Sequence, residues 1–341
     1  MKGSVIALGN WQGRKAAARL VDGQLDDLLV DPPDDTPVPG AIYRAIADRP
    51  MKGQGGVTVR LPGKLRGFLR QSGGLRPGQP LLVQVSTYVE PGKAVPVTTR
   101  LLFKSRFAIA TPGAPGVNVS RQVRDPDIRE ALQAMGDDLA PDAMGLILRS
   151  AAAEVEAAEA RADLEATLEL AAQVLGDTAG TEPELLLDGP DAHHLAWRDW
   201  PGPDVLADGP SALAEHGVED LIVAALSPRL PLAGGAFAYV EPTRALVAVD
   251  VNTGGDTSTA AGLKANLALV RALPRALRCR GLGGQITVDF APLPKRDRRT
   301  IETALRAAFR SDPVETALAG WTPLGHFELQ RKRERAPVKW D

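Results

Sequence analysis

Two aspartates and one asparagine carry the chemistry that this sequence suggests. Asp250 lies near the end of the apolar run "ALVAVDV", Asn252 follows it by two positions, and Asp289 lies near the end of a second apolar run, "QITVDF". Carboxylates held close together repel one another, so that either one binds a proton or a divalent cation lies between them. Mg²⁺ binds through one or two carboxylates, keeps several water molecules and accepts phosphate oxygens. These residue types therefore suggest metal-dependent chemistry at a phosphate, if the fold brings the two acids together.

The segment between the two acids predicts the geometry that would do so. Apolar side chains in residues 259–280 recur at helical spacing, and the pattern continues past Pro274, which predicts a kink rather than an end. The run "GLGG" then ends the helix. Strand, helix and strand in this order form a parallel pair with a right-handed crossover. Asp250 and Asp289 are thus predicted at the carboxyl edge of the sheet, where open α/β sheets bind ligands.

The candidate metal ligands also have structural explanations. An aspartate at the end of a strand is often only a cap or a turn former, although two at matching strand ends favour chemistry. Because the sequence has only one cysteine, Cys279, an internal disulfide and a thiolate zinc cluster within one chain are excluded. Cys279 lies in the helical pattern and is interpreted as a structural thiol. His193 and His194 are adjacent without a second ligand at metal spacing, so no zinc site is expected there.

The composition is that of a soluble globular protein with more than one domain. A chain of 341 residues is too long for one ordinary core, so two or three domains are expected. Its 44% hydrophobic and 24% charged residues are typical of globular proteins. No apolar run approaches the ~18–20 residues of a membrane span. The N-terminal "MKGSVIALGNWQGRK" lacks the apolar region of a secretory signal, which predicts a cytoplasmic protein with no membrane partner.

The net charge of −2 conceals an uneven distribution. Residues 50–107 contain ten Lys or Arg and one acid, residues 133–221 contain twenty acids and three Arg, and residues 271–340 contain fifteen Lys or Arg and seven acids. Basic regions of this kind attract polyanions such as RNA, with an affinity that falls as salt rises. A solvated surface with uneven charge would give the same counts, so charge alone leaves both interpretations open.

Residues 41–103 read as five short strands separated by turn residues, with clear alternation in "LLVQVSTYV". Five short strands in a segment of this length predict a small closed β-barrel. Phe68 would lie on its surface between Arg66 and Arg70, where an aromatic ring among basic side chains suits stacking on single-stranded bases. Packing in the core is the alternative for Phe68.

The remaining segments are less informative about chemistry. Residues 1–37 read as strands with a turn at Gly23, and "DPPDDTPVPG" marks a boundary. Residues 126–178 have mostly helical patterns, interrupted by the strand-like run "AMGLILRSA".

Taken together, the ordered motifs resemble the catalytic core of the bacterial ribonuclease E/G family. There a strand ends in D-I/V-N, a helix begins with a segment like "NLEAA", and "R-L-R-x-L-G-G-x-I-I/V-I/V-D-F" follows. This sequence has "DVN" at 250–252, "NLALV" at 266–270 and "RCRGLGGQITVDF" at 278–290. Upstream, "RGFLR" is similar to the family's S1 domain and "AMGLILRSA" to the segment before its long helix. The resemblance covers nearly the whole chain and is thinnest in 180–225.

The resemblance implies an α/β (α+β multidomain) fold in which an S1/OB-type β-barrel is inserted in an RNase H-like/DNase I-like α/β catalytic core. The expected domains are N-terminal strands packing with the RNase H-like region over 1–37, an S1-like RNA-binding barrel over 38–104, a 5′-sensor-like region with a long helix over 105–190, the RNase H-like remainder over 191–235 and a DNase I-like catalytic domain over 236–341.

The resemblance also implies a Mg²⁺-dependent endoribonuclease that cleaves single-stranded RNA in RNA processing or decay, with Mn²⁺ as a substitute metal. Asp250 and Asp289 match the two metal-binding aspartates of the family, and Asn252 matches its catalytic asparagine. Such a metal ion activates water for in-line attack and stabilises charge on the phosphate.

Two further sets of residues match binding positions of the family. Phe68, Lys93 and Arg280 match RNA-contacting positions. Arg149 and Ser150 match an Arg-Thr pair that binds the 5′-monophosphate of RNA, in which Arg grips phosphate bidentately. Ile109 matches the same 5′-phosphate pocket less closely.

Departures from the family pattern keep an alternative open. The family's "CPxCxG" zinc-link does not follow before the chain stops, so we expect a short form without zinc and without a zinc-bridged dimer, of undetermined oligomeric state. A second surface aromatic of the barrel falls at about Thr58, and an arginine of the 5′-end pocket falls at about Pro323. The alternative is a catalytically weakened or inactive RNA-binding protein of the same fold. A phosphodiesterase acting on DNA is less favoured, because the S1-like module suggests RNA.

Overall fold

The computed structural model describes residues 2–33, 35–50, 55–70, 74–90, 92–258 and 260–338. Its strands are β1 (Ser4–Trp11), β2 (Arg14–Val21), β3 (Gln24–Val30), β4 (Ile42–Pro50), β5 (Val57–Arg60), β6 (Arg66–Leu69), β7 (Pro80–Val85), β8 (Val95–Thr98), β9 (Phe103–Lys104), β10 (Ala108–Pro112), β11 (Gly116–Val119), β12 (Met144–Leu148), β13 (Glu184–Leu187), β14 (Val205–Asp208), β15 (Arg229–Pro231), β16 (Phe237–Pro242), β17 (Val247–Asn252), β18 (Gly284–Asp289), β19 (Thr316–Trp321) and β20 (Phe327–Arg331). Its α-helices are α1 (Pro126–Leu139), α2 (Ala157–Gly176), α3 (Ala192–Asp199), α4 (Ala212–Glu215), α5 (Val218–Leu226), α6 (Ala261–Arg280) and α7 (Arg298–Arg310).

The chain forms two compact units, one made of residues 1–34 with 202–341 and the other of residues 35–201. The predicted segment 191–235 is therefore divided between them at residue 201. The five-part domain division itself stays a prediction. No helix in the described part of the chain is both long and apolar enough to span a bilayer.

The first unit contains a small sheet with the strand order β14-β1-β2-β3. Strands β2 and β3 are joined by Asp22 and Gly23, which both have positive φ, at 50° and 76°. Asp-Gly favours this two-residue hairpin turn because glycine adopts positive φ without steric cost. Strand β1 pairs in parallel with β14, and Ser4 Oγ donates to Asp204 Oδ2 at 2.9 Å.

The second sheet of this unit has six strands in the order β15-β16-β17-β18-β20-β19. Strands β17 and β18 are parallel and are joined through α6, as the sequence predicts. Helix α6 continues through Pro274 to Arg280 and ends at Gly281, whose φ is 65°. A Cβ at Gly281 would lie 1.9 Å from the carbonyl oxygen of Ala336, so close approach of the two backbones also requires glycine here.

Helix α6 contributes to two hydrophobic cores of this unit. Leu269, Leu273 and Leu277 have no exposed surface and pack in the core of the six-stranded sheet. Each leucine buried in this way contributes about 1.5–3 kcal/mol relative to an exposed one. Cys279 packs instead in the core of the small sheet, and burial raises the pKa of its thiol to about 12. Its burial agrees with the interpretation of a structural thiol.

A buried ionic cluster joins the two sheets of the first unit. Arg278 of α6 pairs with Asp312 and also binds Asp26 of β3, with 3.3 Å between Nη2 and Oδ1. Asp312 also pairs with Arg331 of β20 at 2.9 Å, and the two side chains are 0% and 1% exposed. Burial alone would lower the pKa of Arg278, but the charges of Asp27 and Asp312 outweigh it and raise the pKa.

The second unit contains the barrel that the sequence predicts. Strands β4, β5, β6, β8 and β7 are neighbours in this order, and pairing of β4 with β7 closes the circle. A separate sheet, β11-β12-β10-β9, packs against α1 and α2. Asp125 caps α1 by accepting from the backbone N–H groups of Asp127 and Ile128, an arrangement that satisfies donors left open at a helix start.

Candidate active site

Asp250 and Asp289 lie side by side at the carboxyl edge of the six-stranded sheet. They are register partners in the parallel pair of β17 and β18, whose backbones are about 4.8 Å apart in any such pair. The alternate residues Val249 and Val288 are buried in the core, so the two aspartates project from the opposite, solvent-facing side. The structure thus has the juxtaposition that the strand ends predict.

Asn252 belongs to the same solvent-facing row of β17. Its Nδ2 donates to Asp250 Oδ2 at 2.9 Å. This hydrogen bond restricts the rotation of the Asp250 carboxylate. The Asn252 amide therefore helps to hold the Asp250 carboxylate in one orientation.

The two aspartates form a donor set that suits a hydrated Mg²⁺ ion. Among the residues that the structure describes, neither forms an ion pair with Lys or Arg, and the side chain of Asp289 is 62% exposed with His326 Nε2 at 3.8 Å from its Oδ1. Nor do three or more His, Cys, Asp or Glu side chains of the described chain form a metal-binding group. Two carboxylates that leave most coordination positions to water and phosphate fit Mg²⁺, which dehydrates reluctantly.

Asn266 of α6 holds the chain that follows Asp289. Its side chain is fully buried, its Nδ2 donates to the carbonyl oxygen of Ala291, and its Oδ1 accepts from the Ala291 N–H, both at 2.9 Å. A Cβ at Gly262 would lie 2.1 Å from the carbonyl oxygen of Pro292, so the same loop lies directly on the start of α6. We did not predict this role, although an amide within an apolar helical pattern is a signal that could have indicated it.

Replacing Asn266 by leucine is expected to destabilise the protein by about 2–5 kcal/mol, because the N–H and C=O of Ala291 would lose their partners in a buried site. We also expect weaker Mn²⁺ binding, since Asp289 lies two residues before Ala291. Denaturant unfolding and Mn²⁺ titration followed by electron paramagnetic resonance measure the two effects. Gln285→Leu, which removes an exposed amide from β18, is the matched control. Wild-type stability and Mn²⁺ affinity in Asn266→Leu would contradict this role.

Arg280 does not lie where an RNA-contacting residue is expected. It is the last residue of α6, at the opposite end of the β18 strand from Asp289, and it is only 6% exposed. Its guanidinium donates to the carbonyl oxygens of Ala276 and Ser227, at 3.0 and 2.9 Å. Burial lowers its pKa. A guanidinium used in this way stabilises backbone carbonyls inside the protein, and we leave Arg280 out of the proposed RNA interface.

Phe68 lies on the outer side of the barrel. Its chain neighbours Gly67 and Leu69 are buried, whereas Phe68 is partly exposed between its register partners Thr58 and Pro96. Arg66 and Arg70 are both exposed. The strand thus presents an aromatic ring between two cations.

Lys93 lies in the connection between β7 and β8 of the same barrel. Its Nζ pairs with Glu90 Oε2 at 2.9 Å, and its side chain is 65% exposed. An exposed pair of this kind contributes little to stability, so the ammonium group can exchange Glu90 for another anion.

Arg149 and Ser150 are adjacent at the end of β12, but both already have partners. Arg149 donates to Asp199 Oδ1 at 2.9 Å and to the carbonyl oxygen of Ser105 at 2.7 Å, and Ser150 Oγ donates to Gln122 Oε1 at 2.9 Å. Burial would raise the pKa of Asp199, but Arg198 and Arg149 outweigh it and lower the pKa. A phosphate at Arg149 would therefore have to share its guanidinium with Asp199.

Ile109, the third residue matched to the 5′-phosphate pocket, lies in β10. It pairs in register with Ile147 of β12 and is partly buried. Its side chain can contribute an apolar wall to such a pocket.

The fold and the paired acids define a multidomain α/β protein with an OB-type barrel and a carboxylate pair at the edge of a mixed sheet. The sequence model of the ribonuclease E/G family matches residues 103–208 and 204–334. The chain belongs to this family.

Relatives with this family name are similar over most of the chain. Ribonuclease G of Escherichia coli (strain K12) is 28% identical over 307 residues, which cover 78% of this chain and 62% of the relative. Ribonuclease E of Nostoc sp. (strain PCC 7120) is 28% identical over 300 residues, which cover 76% of this chain and 44% of the relative. Ribonuclease E of Escherichia coli (strain K12) is 27% identical over 300 residues, which cover 76% of this chain and 28% of the relative. The chain thus spans less than two thirds of the length of these relatives.

Proposed function

We propose that this protein is a Mg²⁺-dependent endoribonuclease that cleaves single-stranded RNA in RNA processing or decay. The observation that carries the proposal is the register pairing of Asp250 with Asp289 on the exposed face of the sheet. Membership of the ribonuclease E/G family and the names Ribonuclease G and Ribonuclease E of its relatives support RNA as the substrate.

Asp250 and Asp289 would hold the Mg²⁺, with Mn²⁺ as a substitute. When bound, the ion supplies an activated water for in-line attack and neutralises charge on the scissile phosphate. The Nδ2 of Asn252 keeps the carboxylate of Asp250 in orientation. The same side chain lies on the face where RNA would bind and can position a water molecule or a phosphate oxygen by hydrogen bonding.

Residues of the second unit would add affinity for the RNA. Phe68 offers a ring on which an unpaired base can stack, a contact that a base inside a duplex cannot make. Lys93 would contact the RNA backbone. Arg149, Ser150 and Ile109 would bind a 5′-monophosphate, with Arg149 sharing its guanidinium between Asp199 and the phosphate. Because Asp199 competes, we expect only a modest preference for 5′-monophosphorylated RNA.

Metal removal tests the proposal. An A/U-rich, 5′-monophosphorylated RNA oligonucleotide should be cleaved internally with Mg²⁺ or Mn²⁺ and left intact when EDTA is added, because EDTA removes the ion that the proposed chemistry requires. The same sequence as an RNA duplex and as single-stranded DNA provides the controls, and we expect both to be cleaved much more slowly. Denaturing gel electrophoresis of end-labelled substrate resolves the products.

Two outcomes would contradict the proposal. Cleavage that continues in EDTA would exclude the metal-dependent mechanism. RNA binding that weakens with salt, without cleavage in either metal, would favour the alternative, an inactive RNA-binding protein of the same fold.

A further inference from the structure

The paired acids belong to a longer row of side chains on the same face of the sheet. Arg229 of β15 pairs in register with Tyr239 of β16, Tyr239 with Asp250, and Asp250 with Asp289. Register partners project from the same face of a sheet, and directly opposite side chains on antiparallel strands have Cβ atoms about 4.5–5.5 Å apart. A tyrosine and then an arginine therefore extend the row of acids on the β16 side.

Phe237 adds a second ring to this face. It is the register partner of Asn252, and its ring meets that of Tyr239 edge to face, with centroids 5.8 Å apart. The guanidinium carbon of Arg229 lies 4.2 Å from the centroid of the Phe237 ring, within the range of a cation–π contact. The three side chains thus form one cluster immediately beside the Asp250 and Asn252 pair.

The hydrophobic core does not account for this cluster. Core packing by β16 is provided by Ala238 and Val240, which are 0% and 2% exposed and project to the other side. Tyr239 is 38% exposed, and within the described residues Arg229 forms no ion pair with an acid. Sites that bind single-stranded nucleic acid combine positive charge with exposed aromatic rings. Arg229, Tyr239 and Phe237 provide this combination.

Backbone packing fixes the distance between the cluster and the acids. The turn before Phe237 contains Gly234 and Gly235, at φ of 78° and 79°. A Cβ at Gly254, in the turn after Asn252, would lie 2.4 Å from the carbonyl oxygen of Gly235. The two turns are therefore in direct backbone contact, which holds Phe237 and Asn252 in their relative positions.

We propose that Tyr239, Phe237 and Arg229 form a nucleotide subsite for single-stranded RNA, which binds the nucleotide next to the scissile phosphate on the β16 side. The ring of Tyr239 stacks on the base. Arg229, held by the Phe237 ring, binds the adjoining phosphate and offsets the repulsion between that phosphate and the two aspartates. This subsite rests on the proposed ribonuclease function and adds to it the means by which one base is positioned at the acids.

Binding to a catalytically silent protein tests the subsite separately from cleavage. In an Asp250→Asn background, fluorescence anisotropy measures the affinity for a labelled eight-nucleotide RNA and for a series with one abasic ribose at each position. Tyr239→Ala should weaken binding of the intact RNA roughly 5- to 100-fold, as expected for the loss of one stacked base. Tyr239→Phe, which keeps the ring, should bind as the parent does. When the abasic ribose replaces the nucleotide whose base stacks on Tyr239, the parent and Tyr239→Ala should bind that RNA with equal affinity.

A second variant tests the phosphate contact. Arg229→Gln should reduce the slope of log affinity against log salt by about 0.7, the value for one phosphate contact on a single strand. Thermal unfolding of each variant verifies that the sheet is intact.

The outcomes distinguish the subsite from the ribonuclease proposal. Equal losses for intact RNA and every abasic RNA, or no loss in Tyr239→Ala, would overturn the subsite even if the wild-type protein cleaves RNA. If instead the effect of Tyr239→Ala disappears with one abasic position but the wild-type protein cleaves no RNA, the subsite is upheld and the ribonuclease function is overturned.

Discussion

Asparagine in place of Asp250 or of Asp289 is expected to slow RNA cleavage by roughly 10³-fold or more, since a metal site at a phosphate contributes several kcal/mol of transition-state stabilisation and each factor of ten corresponds to about 1.4 kcal/mol. Each substitution removes one charged ligand while keeping the shape of the side chain. Both residues are exposed, so the fold should tolerate the change. Single-turnover cleavage of the single-stranded oligonucleotide measures the effect.

The double variant adds information about shared function. If both carboxylates hold one ion, Asp250→Asn combined with Asp289→Asn should be little slower than either single variant, because residues that act as a unit are not additive. Glu241→Gln is the matched control, since Glu241 is an exposed acid on the same face of β16. Wild-type rates in Asp250→Asn or Asp289→Asn protein would refute the assignment of the site.

Replacement of Asp312 by asparagine is expected to cost about 3–5 kcal/mol of stability, because it removes the carboxylate that pairs with two buried guanidinium groups. Asp312 has a fully buried side chain that pairs with both Arg278 and Arg331. In the variant, Arg331 would be a buried cation that has lost the carboxylate with which it pairs at 2.9 Å. Chemical denaturation of the two proteins measures the difference in the free energy of unfolding.

Two comparisons separate this effect from a general loss of charge. Asp208→Asn makes the same chemical change at an exposed position of the same unit and should alter stability by less than about 0.5 kcal/mol. Adding Arg331→Met to Asp312→Asn should recover part of the loss, since it removes one unpaired charge. A cost below about 1 kcal/mol for Asp312→Asn would show that the cluster is hydrated rather than truly buried.

The features that the sequence predicts correctly depend on local patterns. The alternation of residues 41–103 indicates the barrel strands, and β4 to β8 follow it. The helical repeat that continues past Pro274 is observed as one helix. Parallel pairing of β17 with β18 follows from the strand–helix–strand order, and it brings Asp250 to Asp289. Each of these features is encoded within one continuous segment of the chain, so that segment alone is enough to recognise it.

The features that escaped prediction arise where distant segments meet. Arg278 and Arg280 are both part of a basic run in the sequence, yet one completes a buried ionic cluster and the other binds backbone carbonyls. Asp199 lies 50 positions from Arg149, and their ion pair changes what Arg149 can bind. A count of charged residues treats such side chains as surface charge, because it does not show which distant residues they contact in the folded protein.

The parallel pairing of β1 with β14 also constrains the order of folding. Ser4 and Asp204 are hydrogen-bonded although 200 positions separate them. During synthesis the ribosome would release β1 to β3 long before β14 and α6 exist, so the first hairpins have no complete core to dock on until most of the chain has emerged. Contacts of such high sequence separation slow folding and prolong the exposure of apolar edges. We therefore expect the small sheet of the first unit, β14-β1-β2-β3, to be the part of this chain that needs chaperone protection.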